Sequence, residues 1–278
     1  MGNIVFQKEL KGYSGCKIFI VENGDTRFVR KFSSDEKYNE RLQSQCKKQA
    51  ECSFARVPKV INSGIIDGLF YFDMEYMRGK LLSEYLLQIP ASELESMISR
   101  LFKLLEHSDS SKNINAENIS KIREKIDSLR YLTKQYTNLI PIFKHLDSCN
   151  WIGIDTKDCH GDLTLENIII LPNEDFVLID FLDSFVNCSA IDAAKILQDL
   201  LIRWSYRNKK LTTYDDIRLY TACDMFLKKL KFAGETVYRN AIDMLMLNIL
   251  RIYPYLKDNK TQLFLDNAVK ILLERYTK

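Results

Sequence analysis

The sequence is poor in the residues that build metal and redox sites. Three histidines, His107, His145 and His160, are too few and too scattered for a zinc cluster legible from spacing. The seven cysteines (Cys16, Cys46, Cys52, Cys149, Cys159, Cys188 and Cys223) are odd in number and form no C-x-x-C. They read as reduced, buried thiols, the state a cytoplasmic location keeps. No apolar run approaches a membrane span, and Met1-Gly2-Asn3-Ile4 has neither the basic nor the long apolar part of a signal peptide. N-myristoylation at Gly2 expects a hydroxyl residue at position 6, which is Phe6. There is little excess charge. The net value is +3, with Lys and Arg spread along the chain, so neither nucleic acid nor a membrane surface is indicated. No repeat, low-complexity segment or long linker occurs. What remains is 278 residues, 46% of them hydrophobic, enough to bury a sizeable core in two lobes or two small domains.

The informative stretch is His160-Gly161-Asp162-Leu163-Thr164-Leu165-Glu166-Asn167, followed by Ile179-Asp180. Between them lie two apolar runs, Ile168 to Leu171 and Phe176 to Ile179, around a polar Pro172-Asn173-Glu174-Asp175 turn. This pattern predicts a hairpin. Pairing Leu171 with Phe176 carries through Ile170–Val177 and Ile168–Ile179 and sets Asn167 opposite Asp180. A carboxamide and a carboxylate at one end of a ribbon suit Mg2+, which takes a few protein oxygens and leaves room for water and phosphate. Asp162, just before the ribbon, is then available to orient a hydroxyl and accept its proton. That division of labour is the one phosphoryl transfer requires.

These residues resemble the catalytic and metal motifs of the aminoglycoside phosphotransferase/choline kinase-like family, small-molecule relatives of the protein kinases. Gly161 stands where protein kinases have Arg, and Asp180-Phe181-Leu182 stands for D-F-G. The resemblance implies an α+β, bilobal, protein-kinase-like fold. Residues 1–77 would form a nucleotide-binding lobe with a small antiparallel sheet. Residues 78–278 would form a mainly helical lobe with the catalytic loop and acceptor site. It further implies Asp162 as catalytic residue, Asn167 and Asp180 as Mg2+ ligands, Asp192 as a structural residue opening a helix, and ATP as co-substrate.

The rest of the chain is read against that expectation. Lys11-Gly12-Tyr13-Ser14-Gly15-Cys16 separates two strand-like runs, Ile4 to Phe6 and Lys17 to Val21. Gly12 and Gly15 resemble the phosphate-covering loop, although the full G-x-G-x-x-G is missing; a plain hairpin turn is the alternative. Asn23-Gly24-Asp25 is a turn signal, and a third strand runs from Thr26 to Phe32. Lys31 is the expected phosphate-holding lysine because it can share a face with Val29, with Arg30 as competitor on the other face. A helix that starts in Ser33-Ser34-Asp35-Glu36 and runs to about Glu51 offers Glu40 as the partner of Lys31, with Glu36 and Glu51 as rivals. Two further strands, Arg56 to Ile61 and Leu69 to Met77, flank Asp67-Gly68. In the resemblance the adenine edge meets backbone groups near Glu75 and Met77, and Arg78-Gly79 marks the lobe boundary.

From Leu81 the pattern is helical: a stretch around Leu94 to Leu105, a second from Glu117 to Tyr136, and an interruption at Pro141. Later helices are expected at Ala190–Trp204, Asp215–Lys229, Glu235–Arg251 and Thr261–Tyr276. Trp204, Tyr206, Arg207, Asn248, Arg251, Tyr253 and Tyr255 mark a region to test for the acceptor, although such stripes commonly pack as helix faces. The expected activity is transfer of the γ-phosphoryl group of ATP to a hydroxyl of a small metabolite, a sugar or amino alcohol. Gly-Tyr-Ser-Gly (12–15), Val-Arg-Lys (29–31) and Asn-Glu-Arg-Leu (39–42) resemble bacterial members associated with surface-polysaccharide precursors. The alternatives are an aminoglycoside O-phosphotransferase, a protein kinase, and a nucleotide-binding regulatory pseudokinase. Asp192 comes only nine positions after Asp183, which leaves little room for a peptide-docking activation segment.

Overall fold

The computed structural model describes residues 4–10, 15–106 and 116–277. In chain order the elements are β1 (Ile4–Leu10), β2 (Lys17–Asn23), β3 (Thr26–Phe32), α1 (Asn39–Ala50), β4 (Val60–Ile66), β5 (Leu69–Glu75), β6 (Lys80–Leu81) and α2 (Leu82–Tyr85). There follow α3 (Leu94–Glu106), α4 (Ala116–Leu132), α5 (Ile140–Ser148), β7 (Ile168–Ile170) and β8 (Phe176–Leu178). The chain ends with α6 (Ser189–Leu200), α7 (Thr213–Ala233), α8 (Glu235–Leu250) and α9 (Asn259–Tyr276). It divides into two compact units, Met1–Leu82 with Asn167–Asp183, and Ser83–Glu166 with Ser184–Lys278.

The first unit is built on an antiparallel sheet of order β1-β2-β3-β5-β4. Alternation along β5 sends Phe70, Phe72 and Met74 to one face, where they pack with Cys16, Leu42 and Cys46 and with the half-buried Val29, Tyr38 and Val60. Helix α1 reaches that cluster through Leu42, Gln45, Cys46 and Gln49, a 3–4 residue spacing that defines its inward face. Each large apolar side chain buried this way contributes roughly 1.5–3 kcal/mol. Arg30 is register partner of Asp73 on the adjacent strand, and the two form a buried fork at 2.6 and 2.8 Å. Tyr71 lies 4.4 Å from the guanidinium.

One strand starts later than the sequence suggests. The Arg56–Ile61 run becomes a strand only from Val60, because its earlier carbonyls are engaged elsewhere. The Arg56 carbonyl accepts from Leu178 N–H (2.9 Å) and the Pro58 carbonyl from Gln49 Nε2 (2.8 Å). A second, three-stranded sheet of order β6-β7-β8 belongs to the same unit. At Gly79 a Cβ would run into the Ile170 carbonyl, so only glycine lets the chain pass there.

The second unit is helical. In α8 the run Asn240–Ile242 and Met244–Leu250 is buried on all sides, as expected of a helix packed against α5, α6, α7 and α9. In α3, Leu94, Met97, Ile98, Leu101, Phe102 and Leu105 form the buried stripe that the spacing predicts. Thr212 and Asp215 close α7 with a reciprocal capping box. Pro141 sits in the first turn of α5 and so starts a helix rather than interrupting one. No helix among the described residues is long and apolar enough to cross a membrane. The architecture is thus the expected α+β one, an antiparallel sheet near the N-terminus and a mainly helical remainder.

Candidate active site

In the first unit the organising contact is an ion pair between Lys31 on β3 and Asp180 beyond β8. Lys31 is 2% exposed, and its ammonium is also 3.3 Å from Gln45 Oε1. Burial works against the charged form, and Asp180 outweighs it, so the lysine is held above its usual pKa. Glu40, Glu36 and Glu51 are exposed and do not pair with Lys31. The reason is helical phase. The inward face of α1 carries residues 42, 45, 46 and 49, so glutamine, not glutamate, reaches the lysine. Arg30 points to the opposite face, into its pair with Asp73.

The hairpin exists, with its register moved by one residue. The pairs are Ile168–Leu178, Ile169–Val177 and Ile170–Phe176. Glu174 takes a left-handed conformation (φ 64°). It donates its N–H to the Leu171 carbonyl (2.8 Å), while Leu171 N–H reaches the Asp175 carbonyl (3.0 Å). That is a tight turn closed by a one-residue bulge, a three-residue loop in place of four. Asn167 therefore faces Ile179, whose N–H donates to the Asn167 carbonyl at 3.0 Å. Asp180 lies one residue further, also left-handed (φ 62°). Its side chain is 36% exposed. One carboxylate oxygen is on Lys31, and the other has no hydrogen bond among the described residues. An amide oxygen and a half-open carboxylate are the donor class that a hard cation takes, so these residues fit Mg2+.

In the second unit Asp162 lies 2.9 Å from Lys195 of α6, with side chains 29% and 12% exposed. Burial pushes the Asp162 carboxyl up, but Lys195, with His160 and Arg251, overrides it and holds the group below the usual range. An ionised carboxylate is an acceptor only, and a weak base.

The loop that carries Asp162 is fixed through its main chain. Asp192, 1% exposed, accepts His160 N–H (2.7 Å) on one oxygen and Gly161 N–H (2.8 Å) on the other. Gly161 has φ +86°, where any other residue would be strained. Buried His160 uses Nδ1 to accept Asp162 N–H at 3.2 Å. Asp199 accepts Leu165 N–H (2.7 Å) and both the N–H and hydroxyl of Ser205 (2.9 and 2.7 Å). Full burial pushes its carboxyl up to about 6, against the pull of those donors.

Asp192, Lys195 and Asp199 are spaced i, i+3, i+7, one face of α6. The sequence reading named only the first. The signal for the others was present: three charged side chains at helical spacing in a helix otherwise made of Ala, Ile and Leu apart from Ser189 and Gln198.

Other expected residues are placed as follows. Gly12 lies outside the described residues, as does His107. Gly15 adopts φ +80° ahead of β2. Glu75 ends β5 with its N–H donated to the Lys59 carbonyl (2.9 Å), and half-buried Met77 follows. Asp183 is exposed. In the acceptor region Tyr206 and Tyr253 are core residues, with hydroxyls on the Ser83 carbonyl and on Asp266. Asn248 is buried and accepts from Arg251 (3.0 Å), Arg207 stacks 3.9 Å over Trp204, and Tyr255 is exposed.

No family model matches the chain, and no curated protein matches it in sequence. Solved structures do match in fold. Aminoglycoside phosphotransferase APH(4)-Ia superposes with TM-score 0.65 at 14% identity, covering 98% of this chain and 94% of its own. A thermostable mutant of it has been solved as a ternary complex with ADP and hygromycin B. A putative fructosamine-3-kinase from Haemophilus somnus 129PT gives 0.56 at 14% identity, covering 95% and 92%. Choline kinase LicA from Streptococcus pneumoniae gives 0.56 at 13% identity, covering 99% and 94%. The fold of this chain is the one these small-molecule phosphotransferases and kinases share.

Proposed function

We propose that the protein is an ATP-dependent kinase that phosphorylates a hydroxyl of a small metabolite. The observation that carries this reading is the meeting of Lys31 with Asp180. A buried lysine from the sheet is paired with the acid that follows the catalytic motif, although 149 positions separate them in sequence. Residues 1–77 supply the nucleotide-binding part, and residues 78–278 supply the catalytic loop and acceptor part.

In this reading Lys31 holds the α- and β-phosphates of ATP. Gly12 and Gly15 shape the loop above them, and the adenine edge meets main chain near Glu75 and Met77. Asn167 and Asp180 hold Mg2+, which offsets the charge of the phosphate oxygens when bound. Asp162 accepts a hydrogen bond from the acceptor hydroxyl and orients it. Because Lys195 keeps this carboxylate weakly basic, it takes the proton late, once bonding to phosphorus has made the hydroxyl acidic. Asp192 and His160 keep the loop in place.

The acceptor is a sugar or an amino alcohol. The resemblance to surface-polysaccharide-associated kinases favours a precursor of such a polymer, in the cytoplasm. An aminoglycoside is a polycation. Lys195 and Arg251, whose charges act on Asp162, make that a poor match.

The test is Mg2+-dependent ADP production with ATP or GTP over a panel of sugars, choline, ethanolamine, other amino alcohols and aminoglycosides, with Asp162→Asn as control. One acceptor that stimulates wild type and not the variant establishes the kinase. Tight Mg-ATP binding with no turnover leaves a kinase whose acceptor lies outside the panel or a regulatory pseudokinase, and absence of nucleotide binding rejects the reading.

A further inference from the structure

Within the second unit, three side chains of different chemistry converge at the packing of α5 on α8. His145 Nε2 is 2.8 Å from Asp243 Oδ1 and 3.7 Å from Cys149 Sγ. The three ligand atoms all lie within 4.8 Å of one another, and each side chain is partly buried. The Cys149 thiol also reaches the His145 carbonyl at 3.3 Å. His145 and Cys149 are four residues apart, so the end of α5 presents both on one side, and Asp243 comes from α8, 98 residues from His145.

We propose that His145, Cys149 and Asp243 form a zinc site separate from the phosphoryl-transfer residues. Imidazole nitrogen, thiolate sulfur and carboxylate oxygen are the three donors zinc takes, and three protein ligands leave the fourth position of a tetrahedron open. Zn–N and Zn–S bonds of about 2.05 and 2.3 Å at a tetrahedral angle put N and S about 3.5 Å apart, close to the separation found. N and O would stand about 3.4 Å apart on the same basis, so Asp243 has to withdraw by roughly half an ångström. On binding, the Cys149 S–H proton leaves to water and the sulfur–zinc bond replaces it.

A second observation concerns the open position. The three residues line a cavity of about 580 Å³ whose walls also include Trp151, Asn240 and Tyr238. The Trp151 indole N–H is buried without a hydrogen-bond partner. Trp151 itself lines the cavity, so the wall beside the three ligands carries a polar group whose hydrogen-bonding capacity is unspent. An ion bound this way is exchangeable, unlike one enclosed by four protein ligands.

The experiment uses untagged full-length protein stripped with chelator and titrated with Co2+ and then Zn2+. The expected result is one Co2+ per chain, with the d–d bands of a four-coordinate ion and a thiolate charge-transfer band. Both should be bleached by one equivalent of Zn2+. Cys149→Ser should abolish the charge-transfer band, and His145→Gln and Asp243→Asn should each weaken Zn2+ binding at least 10-fold. Alkylation followed by peptide mapping, on wild type alone, should show Zn2+ protecting Cys149 more than the other six cysteines, so the answer does not depend on a variant folding. A wild type with no thiolate band, or with Cys149 alkylated equally with and without Zn2+, overturns the site. ADP formation enters none of these readouts, so the kinase reading stands or falls separately.

Discussion

Lys195 decides how basic Asp162 is. It lies 2.9 Å from the carboxylate and holds it below the usual range. Removing it as Lys195→Met, which keeps the length and apolar stem, returns the carboxyl upward. The acid limb of kcat/KM should then move to higher pH, and kcat should drop on the order of 10-fold or more. A lysine that served only as packing would leave the pH profile in place. Asp180 behaves differently, because its partner is the more buried of the two. Asp180→Asn leaves the Lys31 ammonium without an anion and should cost roughly 3–5 kcal/mol of stability as well as all turnover. Adding Lys31→Met should restore much of the thermal midpoint and none of the activity. The motif residues Asp162, Asn167 and Asp180 were legible in the sequence because their spacing is local. Gln45 and the Asp243 side of the zinc site were not, and of Lys195 only the helical spacing from Asp192 was, not the partner it meets. Each is defined by which way a helix faces, and amphipathic phase becomes definite only when the opposing element is in place.

At the scale of the element, the hairpin shows how one residue changes a prediction. Strand pairs and polar turn were readable, but the loop length was not, since nothing in Pro172-Asn173-Glu174-Asp175 demands that Glu174 go left-handed. Its φ of 64° carries a cost that glycine avoids. Glu174→Gly should therefore raise stability by about 0.5–1 kcal/mol in chemical unfolding, with unchanged activity. Helix α6 makes a second prediction. Asp199 has its carboxyl raised from 3.8 to about 6 by burial, so the folded state holds the proton more tightly than the unfolded chain does. Its favourable contribution is complete below about pH 4 and is lost as pH rises through about 6. The stability of wild type relative to Asp199→Asn should fall over that interval. A flat difference would show that Asp199 is ionised throughout.

At the scale of the whole molecule, chain order and structural unit part company. Strands β7 and β8 and Asp180 belong to the same compact unit as the first 82 residues, although helices α2 to α5 come between. A fragment ending at residue 82 would lack the strand that pairs with Lys80 and Leu81 and would leave Lys31 buried beside no carboxylate. It is expected to remain unfolded by circular dichroism and to bind no nucleotide. A cooperative transition in that fragment would contradict the account of the ion pair. Individual strands and helices were legible from turn signals and periodicity, and the α+β class came from the resemblance. The return of a distant segment to the first unit was not expected, since a division between residues 77 and 78 keeps residues 167–183 with the helices.

The loop that carries Asp162 is gripped by two carboxylates that hold it through peptide N–H groups, those of residues 160, 161 and 165. Such a grip is blind to the side chains it holds. Substitutions along the loop that respect the glycine at 161 leave it intact, while a single change at Asp192 or Asp199 releases it. The molecule's memory of its shape is written in the main chain and read from α6. Drift can therefore erase the resemblance between two such sequences long before it disturbs the loop, and 12–14% identity can sit on a common fold.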